Sequence, residues 1–121
     1  MEKKNYRFVL EERLIAFSVD IIKVVKQLPE DRIGNHLGSQ LLRSGTSPSL
    51  NYGEALGAES KRDFIHKISI LLKELRETFN CLTILTRAQY VPAEHPIVNE
   101  CHELISIFVK TIETTKRNML R

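Results

Sequence analysis

Glu74 and Glu77 stand three residues apart in a helical stretch, an offset at which two carboxylates share a face and could trade a proton with a substrate. Such a pair needs a water-activating histidine, a metal ion or a nucleophile beside it, and no such residue sits at a helpful offset. His36, His66, His95 and His102 are scattered, without the spacing of a helical zinc site. Cys101 and His102 are adjacent, so on a helix they point about 100° apart and do not readily chelate one ion. Gly34, Gly38 and Gly45 follow no strand and precede no Gly-Lys-Ser/Thr, which excludes a phosphate loop. The expectation is therefore no enzyme, no cofactor and no metal. Glu74 and Glu77 read as partners for a cation, with Arg43 of the preceding helix the expected one.

A different chemistry suits a second set. Arg62, His66, Ser69, Lys73, Arg76, Asn80 and Arg87 fall on one side of the stretch 61–88, with no carboxylate among them. They would extend about 37 Å at 1.5 Å per residue. A stripe of one sign is often a solvated helix face, but it is also what a row of phosphates requires. The net charge of +3 permits that reading without demanding it. A second basic cluster is expected where the termini and the turn near residue 57 meet. It holds Lys3, Lys4, Arg7, Lys61, Lys116, Arg117 and Arg121, diluted by Glu2, Glu59 and Glu113.

Four helices must position these residues. The first is expected from about Leu10 to Leu28, with Leu14, Phe17, Ile21, Val24 and Leu28 alternating spacings of three and four. Pro29-Glu30-Asp31 ends it and starts a second helix over 32–56. There Pro48, beside Gly45, predicts a kink or a short irregular turn. Ser60 with Asp63 forms a capping box in acidic form ahead of the third helix, 61–88. That helix carries a core stripe of Phe64, Ile68, Leu71, Leu75, Phe79 and Leu82. Pro96 suits the first position of a fourth helix, whose face shows Ile97, Cys101, Leu104, Phe108, Ile112 and Met119. Short links imply antiparallel neighbours, hence an all-α, up-down-up-down four-helix bundle with a kinked second helix.

With 121 residues, the chain 1–121 is expected to be one domain. Two cysteines are too few for a disulfide framework and fit buried thiols in a reducing cytoplasm. The N-terminus lacks the apolar region of a signal peptide, and no apolar run could span a membrane.

The third helix carries a further stripe of Asp63, Lys67, Ile70, Glu74, Glu77, Cys81 and Ile84, which mixes charges with sizeable apolar groups. On the second helix Arg43, Ser47, Asn51 and Glu54 form a matching polar side. A broad core with a salt-bridged edge would produce this pattern, and so would a subunit interface. The interface reading draws support from Ile15, Val19 and Ile22, and from Ile105 and Val109, which lie off the main stripes of their helices.

These residues carry a resemblance. Arg43-Ser44-Gly45-Thr46-Ser47, Asn51, Glu54-Ala55, Ser60, Asp63-Phe64-Ile65, Lys67, Lys73-Glu74, Glu77-Thr78 and Leu82 resemble, in type and spacing, the bacterial 23S ribosomal RNA intervening-sequence family. The motif spans about a third of the chain, and the four-helix layout nearly all of it. The resemblance implies a homopentameric ring of bundles. A related branch, the accessory variability protein of diversity-generating retroelements, binds a reverse transcriptase and nucleic acid through a basic surface. On that basis Arg43, Asn51, Glu54, Lys67, Glu74 and Glu77 are structural. Two positions depart from the family pattern. Pro48 replaces an apolar residue or glycine, and Asn80-Cys81 replaces an aromatic pair, which implies a smaller contact between subunits.

The resulting expectation is a homo-oligomer that binds RNA, or a nucleic-acid-bound protein such as a reverse transcriptase. Arg62, Lys73, Arg76 and Arg87 are the leading contacts, with Lys61, Lys116 and Arg117 at the bundle end. The alternative is a protein-interaction scaffold without nucleic-acid affinity.

Overall fold

Helix α1 spans Lys3–Gln27, α2 Arg32–Leu56, α3 Lys61–Arg87 and α4 Pro96–Met119. The computed structural model describes residues 3–120, with side chains from residue 6 onward. Each helix packs on the next, and α4 closes back on α1, so the chain runs up, down, up, down around a shared core.

The α1 stripe is buried as its spacing predicts: Leu14, Phe17, Ile21 and Val24 face inward, with Leu28 just past the helix end. The helix nevertheless begins at Lys3, well ahead of Leu10. Lys-Lys-Asn-Tyr-Arg has no apolar period, but a helix once nucleated extends through such residues at little cost.

Pro48 lies inside α2, which is one unbroken helix, so no irregular turn interrupts it. The proline withholds a donor from the Ser44 carbonyl. Just ahead of that gap the helix keeps two additional bonds, since Thr46 Oγ1 donates to the Leu42 carbonyl and Ser47 Oγ to that of Arg43, each at 2.7 Å. Pro48 itself is buried.

Gly45 sets how closely α2 approaches α1. A Cβ there would stand 2.7, 2.8 and 2.9 Å from three carbons of Ile21, a fully buried branched side chain. Gly45→Ala should therefore destabilise the protein by about 1–3 kcal/mol, the usual range for overpacking. The cost should shrink in an Ile21→Ala background, and urea titration of the double-mutant cycle measures that coupling. Independent costs would mean that the two side chains do not meet.

Across the α2–α3 seam a buried polar contact joins Ser44 and Thr78. The Thr78 hydroxyl lies 2.8 Å from the Glu74 carbonyl and 2.9 Å from Ser44 Oγ. It has a single proton, so it serves both only if Ser44 donates in turn.

The helix ends are capped by side chains. Asp31 accepts from the Gly34 amide at 2.7 Å. Ser60 accepts from the Asp63 amide at 3.0 Å, while Asp63 accepts at 3.2 Å from the amide of Glu59, one residue ahead of the cap, so the acidic capping box forms with its return bond displaced by one residue. α3 ends in a Schellman turn: Gln89 takes a left-handed φ of 66°, and the Tyr90 amide reaches back to the Leu85 carbonyl at 2.8 Å. His95 Nδ1 accepts from the Ile97 amide and caps α4, with Pro96 in its first turn.

Candidate nucleic-acid interface

The two polar stripes of α3 have different fates. The mixed stripe is neutralised within the protomer. Arg43 reaches from α2 to Glu74 at 3.0 Å and also hydrogen-bonds Glu77. Lys67 bonds Asp63 one turn away at 2.9 Å. That hydrogen bond raises the Lys67 pKa and lowers that of Asp63. Arg43 is half-exposed here, so the penalty for stranding a fully buried charge does not apply to it. Asn51 is half-buried and Glu54 exposed on the same side of α2.

The basic stripe is not neutralised. Arg62, His66, Ser69, Lys73, Arg76, Asn80 and Arg87 are all exposed. None of its cations lies within ion-pair distance of a carboxylate among the described residues. The geometry thus leaves one helix face with unopposed positive charge beside another whose charges are internally matched.

Lys61, Lys116 and Arg117 are exposed at the bundle end as well. Lys61 and Arg7 border a cleft there. Arg121 lies outside the described residues, as do the side chains of Lys3 and Lys4.

Several interface candidates separate. Ile70 is 40% exposed and Ile84 51%. Cys81 is not available: at 7% exposure it is buried beneath α2, with Sγ 3.6 Å from the Leu37 carbonyl. Helix α3 packs against α2 on that side as well as α4 on the other, so its buried arc is wider than a single stripe. Ile105 and Val109 are likewise half-buried against the core. By contrast Ile15, Val19 and Ile22 point outward on α1, and Phe8, 61% exposed, extends their row. The sequence reading did not single out Phe8, although its helical spacing from Ile15 places it there.

One ion-pair group was missed altogether. Arg13 binds Glu100 through Nε at 2.7 Å and Nη2 at 2.8 Å, and Glu103 at 2.8 Å, tying α1 to α4. These hydrogen bonds, the Glu100 one foremost, raise the arginine's pKa further. Partners nearly ninety residues apart leave no local pattern to read.

Among the described residues no three His, Cys, Asp or Glu side chains gather where they could hold a metal ion. His95 is occupied as a cap, and His102 tilts against Phe79 with ring centroids 5.8 Å apart. Cys81 and Cys101 are free, and burial pushes both thiols up, away from the reactive thiolate. No described helix is long and apolar enough to cross a membrane.

Residues 9–110 match the 23S rRNA-intervening sequence protein family. A protein of unknown function from the S23 ribosomal protein family of Bacteroides thetaiotaomicron, whose crystal structure was solved at 1.70 Å, is 35% identical to this chain. The two superimpose with a TM-score of 0.79 over 84% of this chain and 96% of the other. Neither match is described by an enzymatic activity. No curated protein matches the chain.

Proposed function

Because the chain belongs to the 23S rRNA-intervening sequence protein family, we propose that it is a homo-oligomeric accessory protein of the bacterial cytoplasm. In this reading it binds RNA, or a partner already bound to nucleic acid such as a reverse transcriptase, through the outer face of α3. The observation that carries the reading is the contrast between the two stripes. Arg43, Lys67 and their carboxylates consume each other's charge, whereas Arg62, Lys73, Arg76 and Arg87 stay exposed and unopposed. Phosphates are the ligands that such a row of cations attracts without needing a shaped pocket.

The assembly is by resemblance a pentamer, and its contacts draw on the outward apolar row of α1 with Ile70 and Ile84 of α3. Apolar groups in that number, set at helical spacing, suit burial against another copy. Two buried free thiols suit a reducing compartment.

Light scattering of the purified protein stripped of nucleic acid should give about five times the chain mass of 14.0 kDa, and a larger mass while nucleic acid is retained. Arg62, Lys73, Arg76 and Arg87 changed together to Glu should abolish RNA retention while leaving helicity and mass intact. Changed to Gln, they should lower the slope of log affinity against log salt by about 3, at roughly 0.7 per phosphate contact for a single strand. Retention unchanged by the four substitutions would remove this face from the reading. No RNA retained by the unsubstituted protein would instead favour a scaffold that docks proteins through the apolar row.

A further inference from the structure

Where the start of α1 meets the end of α4, two clefts of about 470 and 330 Å³ adjoin and share Arg7, Leu56 and Phe64. Small-molecule sites occupy about 300–1,000 Å³. The larger cleft has Leu10, Phe64 and Ile107 on its apolar side, Thr111, Thr114 and Thr115 along α4, Tyr52 among its buried lining, and Arg7 and Lys110 as its cations.

Tyr52 is the residue that packing alone does not explain. It is only 3% exposed, and its ring stands edge-on to Phe108 at 5.5 Å. Its hydroxyl takes no hydrogen bond from the described residues. Yet among those residues no side-chain oxygen sealed from solvent lacks a partner. Tyr52 is nonetheless one of the residues that line the larger cleft. Of the charged groups that bear on it, Arg7 and Tyr6 belong to the cleft lining, while Glu11 lies outside it. A phenylalanine would fill the same core space without a polar atom to satisfy. Burial pushes the phenol up to about 12, so it stays a donor at neutral pH.

We propose that this cleft binds one nucleotide, with an acceptor on the base edge taken by the Tyr52 hydroxyl, the base held by the apolar walls, and the phosphate met by Arg7 and Lys110. The set of parts argues for that class. A buried donor, an apolar and aromatic side and two cations mirror a base edge, a flat base and its phosphate. An alkyl anion would leave the hydroxyl unpaired, and inorganic phosphate would leave the walls wet. Unstacked bases are commonly held this way, by aromatic contact and edge hydrogen bonds. The inference rests on the RNA reading only for the source of the nucleotide. A splayed base within a strand and a free mononucleotide present the same chemistry.

Calorimetric titration of the full chain with each nucleoside 5′-monophosphate, and separately with a mixed-sequence ten-nucleotide RNA, tests it. Tyr52→Phe should weaken whichever ligand fills the cleft at least tenfold without lowering the urea midpoint. Arg7→Gln with Lys110→Gln, both at exposed positions, should weaken it in a salt-dependent way. If RNA alone responds to Tyr52→Phe, the source is a strand; if mononucleotides alone respond, it is the free nucleotide. RNA bound equally by wild type and Tyr52→Phe, with no mononucleotide bound, overturns the cleft and leaves the α3 face standing. No binding in either arm overturns both.

Discussion

Replacing Phe108 with alanine should cost about 3–5 kcal/mol, the range for deleting a buried aromatic ring. Phe108 is fully enclosed near the middle of α4 and supports Tyr52 edge-on, so the deletion removes apolar burial and opens a cavity that the two seams flanking α4 cannot easily close. A domain of this size holds roughly 5–15 kcal/mol in all, so one substitution would consume a large share of it. Phe8→Ala deletes the same atoms from a site 61% exposed. Its effect on the protomer should stay within about 0.5 kcal/mol. If α1 faces another copy, however, the Phe8 loss becomes concentration-dependent, because assembly and folding are then linked. Urea midpoints at two protein concentrations separate these outcomes. A loss below about 1 kcal/mol for Phe108→Ala would show that α4 is not seated in the core as described.

That contrast between equal side chains also marks what the sequence could reveal. Spacings of three and four identified the buried face of α1 and that of α4 as far as Phe108, because a helix with one dominant neighbour direction writes its core as a narrow stripe. Beyond it Ile112 is half-buried and Met119 43% exposed, since the last turns of α4 run past the core. Helix α3 has neighbours on two sides, and there the stripe was read too narrowly. Leu72, Thr78, Cys81 and Leu85 are buried with Ile68, Leu71, Leu75 and Leu82, while Phe64 and Phe79 of the expected stripe are only half-buried. Ser44 and Thr78 were illegible for another reason: a small hydroxyl looks the same in sequence whether it is solvated or paired across a seam. Capping by Ser60 and Asp63 was legible because it needs only four consecutive residues, and the Arg43 pairing because complementary charges recur at helical spacing on adjacent helices. The Arg13 cluster and the Tyr52 cleft depend on α1 meeting α4, the longest separation in the chain, and nothing local encodes it.

Above pH 9 the protein should lose stability steeply, with the Cys101 thiol as the first cause. Cys101 is fully enclosed, with Sγ 3.4 Å from the Leu75 carbonyl. Burial, aided by the charge of Glu100, pushes its pKa from 9.0 up to about 12. The unfolded chain therefore releases this proton near pH 9, while the folded chain holds it to about 12. Over that window the folded state binds more protons, so the derivative of unfolding free energy with pH is negative. The contribution is complete below pH 9 and gone once pH passes the folded value. Its slope is about 1.4 kcal/mol per pH unit, or roughly 4 kcal/mol across the window. Tyr52 acts with the same sign from its ordinary value of 10.0 to about 12, again through burial, although its place in the cleft lining makes an equal slope an upper limit. Cys81, also raised by burial, adds in the same direction. Urea midpoints from pH 8 to 11 should fall progressively in the wild type. Cys101→Ser keeps a donor for the Leu75 carbonyl but does not ionise here, so it should flatten the first part of the decline. Tyr52→Phe should flatten only the part above pH 10. A profile as steep in Cys101→Ser as in the wild type would mean that the thiol is not sealed, and that α3 and α4 part at this seam more readily than their packing implies.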